Sequence, residues 1–121
     1  MEEALRLKPY AAGDKRLGFC LDTCHLFAAG YDITRHSVLD GIFSEIDMKR
    51  VFAIHLNDAK MELGSRRDRH ANIGMGHIGV EGFRSFLNYR GIASKIIVLE
   101  TPQTPGMSES EEISLVRGLF S

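Results

Sequence analysis

Leu17-Gly18-Phe19-Cys20-Leu21-Asp22 is an apolar run closed by a carboxylate, and two later segments repeat the design. Val51-Phe52-Ala53-Ile54 is closed by His55, and Ile96-Ile97-Val98-Leu99 by Glu100. Short continuous apolar runs are the pattern of strands buried on both faces, as in a parallel sheet. Metal-capable residues at the C-terminal ends of successive strands are how parallel α/β proteins assemble an active site. A single Asp at a strand end is more often a helix cap or an ion-pair partner; the joint pattern is harder to dismiss. His25 follows just beyond Asp22, and the triplet Asp68-Arg69-His70 adds two more donors.

The segments between these runs have the opposite periodicity. From His36 to Met48, the residues Val38, Leu39, Ile42, Phe43 and Ile46 share one helical face. Glu81 to Tyr89 predicts a short helix with Phe83, Phe86 and Leu87 together, closed by Gly91. Ser108 and Glu111 form a capping-box pattern ahead of Ile113, Val116 and Phe120 on a final helix. Residues 3 to 7 read as the tail of a helix reaching Pro9. Helix and strand thus alternate, which predicts strands over 17–22, 51–56 and 96–101, parallel and joined by right-handed crossovers. Asn57 to Gly79 is a long, aperiodic loop, the kind that compact domains use for function.

A chain of 121 residues suits one domain, and 44% apolar with 26% charged residues is a soluble globular composition. No apolar run approaches the roughly 18 residues of a membrane span, and no secretory signal is visible. Cys20 and Cys24 form neither a disulfide framework nor a zinc-ribbon spacing. Cys20 is expected to pack in or beside the sheet, and the expected compartment is the reducing cytoplasm. A net charge of −1 argues against nucleic-acid binding by bulk electrostatics. The charge is uneven, however: Lys60, Arg66, Arg67 and Arg69 make a local basic loop of the kind a polyanionic substrate needs. Taken alone, those charges read better as a solvated loop.

Strand alternation refines the site. If Asp22 points inward, Cys20 and Gly18 do too; with His55 go Ala53 and Val51. Asp68 and His70 share one face of an extended loop. These oxygen and nitrogen donors suit a catalytic zinc or manganese ion better than a structural zinc, which favours thiolates. His36 and His77, each isolated, read as surface or packing residues.

The segments Gly18 to Asp32, His55-Leu-Asn-Asp-Ala-Lys60, Leu63 to His70, Asn72 to Gly79 and Leu99-Glu-Thr-Pro102 resemble the signatures of the endonuclease IV family of apurinic/apyrimidinic endonucleases. The resemblance runs in order from about Leu17 to Pro102. It implies a (β/α)₈ TIM barrel with three zinc ions at its C-terminal mouth. It also implies cleavage of double-stranded DNA 5′ to abasic sites in base excision repair. By the same resemblance, Asp22, His55 and Glu100 are ligands of one zinc and form the catalytic set. His25, Asp68 and His70 are the ligands of another. Asn57, Lys60 and Arg69 fall at positions close to the metals and the DNA backbone.

Residues 1–121 are then expected to be a partial barrel domain, an α/β C-terminal segment holding the last three of eight parallel strands with their flanking helices. A closed barrel typically needs about 250 residues. The first-zinc histidines and the bridging glutamate of the family belong to earlier strands, so the fragment is expected to be inactive alone. Its partner would be the missing N-terminal part or a second copy of the chain. Two other readings compete. A metal-dependent sugar isomerase or epimerase also places Glu, Asp and His at strand ends, with one or two metals; the Asp68-Arg69-His70 triplet favours the nuclease. A non-catalytic metal-binding remnant is the third.

Overall fold

The structure is a computed structural model that describes residues 16–121; the helix expected over residues 3 to 7 lies outside them. Three strands, β1 (Phe19–Asp22), β2 (Val51–Leu56) and β5 (Ile96–Leu99), form a parallel sheet in the order β1-β2-β5. Between β2 and β5, strands β3 (Asp58–Ala59) and β4 (His70–Ala71) pair antiparallel as a two-residue ribbon. The helices are α1 (Thr23–Ala28), α2 (His36–Glu45), α3 (Gly79–Leu87) and α4 (Glu109–Arg117). Among the described residues no helix is long and apolar enough to cross a membrane.

One face of the sheet carries the core. Phe19, Leu21, Val51, Ile54 and Leu56 are buried with Leu26, Leu39, Ile42, Phe83, Phe86 and Leu87. Full burial stabilises a side chain of this size by about 1.5–3 kcal/mol, so the spacing of Leu39 with Ile42 and of Phe83 with Phe86 docks these helices. The other face is open among the described residues. Cys20 is exposed there, not packed, and Phe52, Ile96 and Val98 are 48%, 69% and 40% accessible. The apolar runs thus have an inner side that three strands cannot cover.

A register shift corrects the expected inward set. Phe19 pairs with Val51 but Cys20 pairs with Ala53, which leaves Phe52 as an extra residue in β2. Val51 therefore turns to the helix-covered face and is buried, while Ala53 and His55 keep the inner face with Cys20 and Asp22. The Phe52 ring lies over Gly18, where an added Cβ would stand 2.3 Å from a ring carbon.

Other boundaries moved for local reasons. The helix expected to reach Met48 stops at Glu45, because the Asp47 carboxylate accepts from Lys49 N and starts a 3₁₀ turn at Met48–Arg50. Residues 23–28 are helical because Asp22 Oδ1 caps His25 N at 3.1 Å. In the last helix Ser108 caps Glu111 N as expected, but Ile113 is 41% accessible and Glu112 takes the buried position.

Candidate metal centre

Parallel register brings the three strand-end residues to one edge. Asp22 pairs with His55, and Leu56 pairs with Leu99, so Glu100 emerges one residue beyond on the same edge. The ligand atoms of Asp22, His55 and Glu100 all lie within 4.8 Å of one another. His55 Nδ1 is 2.5 Å from Glu100 Oε1. Asp22 divides its carboxylate: Oδ1 caps the helix, and Oδ2 faces His70 Nε2 at 3.5 Å.

The ribbon supplies the second cluster. Pairing of Ala59 with His70, extended by Lys60 N donating to Arg69 O, folds the 57–71 segment back over the sheet edge. His70 Nε2 then stands 3.5 Å from both Asp22 Oδ2 and Asp68 Oδ1, and His25 Nδ1 stands 3.6 Å from Asp68 Oδ2. Two ligands on a tetrahedral zinc, each about 2.0–2.1 Å from the ion, sit roughly 3.3 Å apart. The His70 and His25 separations are close to that spacing and longer than good hydrogen bonds. The His55–Glu100 contact is a direct one and would have to widen by about 0.8 Å to admit an ion. The donor set is nitrogen and carboxylate oxygen at partial exposure, which fits a divalent ion with open positions.

The group that closes within 4.8 Å around the ribbon is Cys24, Asp68 and His70, with His25 approaching from the side of Asp68. Cys24 is fully buried and its thiol donates to Arg69 O at 3.3 Å. Burial first, then the Asp68 carboxylate, pushes that thiol well above its ordinary range, so the fold favours the protonated donor. Cys24 is held on the Arg69 backbone, and His25 stands beside Asp68 and His70 as a third nitrogen or oxygen donor. Partial burial first, then the Asp22 and Glu100 carboxylates, raises the pKa of the Cys20 thiol.

Asn57, expected close to the metals and the DNA backbone, is fully buried among the ligands. Its carboxamide donates to Asp22 Oδ2 and accepts from Glu100 N at 2.9 Å, which ties the first and third strand ends together. Thr23 completes the tie with bonds to and from the Asn57 backbone. Lys60 and Arg69 are exposed on the ribbon, beside the clusters.

A family model described as "Xylose isomerase-like TIM barrel" matches residues 1–117. The chain belongs to that family. A protein called "Probable endonuclease 4" from Chloroflexus aggregans is 47% identical over 109 residues, which is 86% of this chain and 38% of the relative. Another of that name from Chlorobium phaeobacteroides is 48% identical over 106 residues, 84% of this chain and 37% of the relative. The crystal structure of endonuclease IV from Thermus thermophilus superposes with a TM-score of 0.73 at 36% identity, over 95% of this chain and 42% of that one. The TIM-barrel class and the endonuclease IV resemblance therefore both hold. The chain spans about two fifths of the length of the curated relatives it matches.

Three residues of this barrel segment that sequence patterns did not single out organise the site: Cys24, Asp58 and Glu112. Asp58 is fully buried, and its carboxylate accepts from the backbone N–H groups of Ala59, Gly74, Gly76, Ile78 and Gly79. The signal for it was present in the glycine spacing of Asn72 to Gly79, which lets backbone amides converge on one anion. Glu112 has no such signal, because an acid among solvated acids looks like any other.

Proposed function

We propose that this chain carries the metal-binding strand ends of a zinc-dependent DNA repair endonuclease, a phosphodiester hydrolase acting 5′ to abasic sites in double-stranded DNA. The observation that carries the reading is the convergence of Asp22, His55 and Glu100 with His25, Asp68 and His70 on one edge of a parallel sheet. The relatives' name, endonuclease 4, supports the nuclease class. Asp22, His55 and Glu100 would hold one ion as the catalytic set, and His25, Asp68 and His70 a second; the complete site holds three zinc ions, with manganese as an alternative. Such ions polarise a phosphodiester and supply hydroxide near neutral pH. Lys60 and Arg69 would pair with DNA phosphates beside the cluster, and Asn57 fixes the distance between Asp22 and Glu100.

Residues 1–121 would correspond to the last three strands of an eight-stranded barrel. The outer edges of β1 and β5 are unpaired among the described residues, and such edges recruit further strands. The remaining strands, from an N-terminal part or a second copy of the chain, would complete the site, and the 121 residues alone are expected not to cleave DNA. Two free cysteines suit a cytoplasmic setting.

The test is zinc content after exhaustive dialysis, with nicking of an abasic duplex as the second readout. At least one retained zinc is expected, with affinity weakening as pH falls through the histidine range near ~6.5, because ligand nitrogens must shed protons to bind. Glu100→Gln in a full-length homologue with these motifs should abolish nicking. Less than roughly half an equivalent of zinc, or chelator-sensitive nicking by the 121 residues alone, would contradict the reading.

A further inference from the structure

Glu112 is only 3% accessible, yet among the described residues its three hydrogen-bond donors are neutral. Thr101 Oγ1 donates to Oε1; Ile73 N at 2.8 Å and Asn72 Nδ2 at 3.1 Å donate to Oε2. A buried carboxylate without a cation is costly, and an apolar residue on this helix face would avoid that cost. What it grips gives the reason. Thr101 is the residue after Glu100, and Asn72-Ile73 follow His70-Ala71. Those two segments meet at the centre, where His70 Nδ1 lies 3.0 Å from the Glu100 carbonyl oxygen. A carbonyl only accepts, so Nδ1 donates to it, which leaves Nε2 as the nitrogen that faces Asp22 and Asp68.

We propose that Glu112 is a positioning residue of the metal centre: it clamps the backbone beyond Glu100 to the backbone beyond His70 and so locks His70 in the tautomer whose Nε2 can ligate. Asn72 reinforces the clamp, its Nδ2 donating also to Pro102 O at 3.0 Å and its Oδ1 accepting from Thr104. The inference deepens the metal-site reading and rests on it for its purpose, but its signature is visible without metal.

The experiment records long-range ¹H–¹⁵N correlations of the imidazoles in the metal-free 121-residue chain, at a pH where the ¹⁵N shifts themselves show the rings neutral. Wild-type His70 is expected to show the Nδ1–H tautomer. Glu112→Met, which is of similar length and has no oxygen acceptor for either side of the clamp, should give a mixture of tautomers. Thr101→Val, which cuts the strand side alone and preserves shape, should do the same and keeps the question answerable if Glu112→Met does not fold. Val116→Ala loosens the same helix without touching the clamp, and should lower stability while leaving the His70 tautomer unchanged. Zinc affinity, measured by competition with a chromophoric chelator, should fall about 10- to 100-fold in the two clamp variants. An unchanged tautomer in a folded clamp variant, or an equal change in Val116→Ala, overturns the proposal. A wild-type chain that binds no zinc while its tautomer still depends on Glu112 would refute the metal reading and uphold the positioning role.

Discussion

Replacing Asp58 by Asn exchanges one carboxylate oxygen for an NH₂ group inside a closed cradle. Oδ1 accepts from Ala59 N at 2.8 Å and Ile78 N at 2.9 Å; Oδ2 accepts from Gly74 N at 2.9 Å and Gly76 N at 3.0 Å. Gly79 N reaches both oxygens, at 3.4 and 3.2 Å. Whichever way the amide turns, its N–H groups face two backbone donors that lose their acceptor. Each buried N–H left unpaired costs about 1–3 kcal/mol, so the pair predicts a loss of about 2–6 kcal/mol. The cradle has no slack to relax into: a Cβ at Gly76 would stand 2.4 Å from Ala59 O and 2.6 Å from Asp58 Oδ1. Against a domain stability of about 5–15 kcal/mol, such a loss is a large fraction of the whole. Urea unfolding followed by far-UV circular dichroism measures it, with m checked for constancy. Amide exchange should accelerate first at Gly74 and Gly76 and least at Ile54 in the central strand. A variant within about 1 kcal/mol of wild type, with Gly74 and Gly76 still protected, would refute the claim that this carboxylate holds the glycine loop.

Gly18→Ala should destabilise the fold by about 1–3 kcal/mol, since the new methyl meets both the Phe52 ring and the Arg50 carbonyl oxygen at 2.7 Å. Adding Phe52→Leu should recover part of that loss in the same urea titration, and no recovery would mean the backbone contact dominates. Thiol labelling should separate the cysteines: exposed Cys20 reacts in the folded chain and buried Cys24 only on unfolding. Both thiol pKa values are raised, so the thiolate of each is scarce below its elevated pKa and labelling of Cys20 should climb only as pH passes the ordinary thiol range of about 8.5. Rapid labelling of Cys20 at neutral pH would show that its pKa is not raised.

Much of the architecture is written in local pattern. Three apolar runs ending in Asp22, His55 and Glu100 imply parallel strands, and the spacing of Phe83 with Phe86 and of Leu39 with Ile42 implies helices against one sheet face, because periodicity records which side is buried. The donors at the strand ends were legible for the same reason: strand direction alone sends them to a common edge. Contacts between segments distant in sequence were not legible. The extra residue Phe52, which turns Val51 to the covered face, depends on how β2 meets β1, and no strand pattern encodes a partner's register. Asn57 reads as a polar residue beside a ligand, yet the fold buries it as a tie between Asp22 and Glu100. Asp58 and Glu112 look like solvated acids until the chain closes around them, since a carboxylate's role is decided by the donors that reach it. Residue types and strand ends thus came from the sequence by itself. Only the tertiary structure decided which backbone amides and ring nitrogens those residues meet, because hydrogen-bond geometry is a property of neighbours in space.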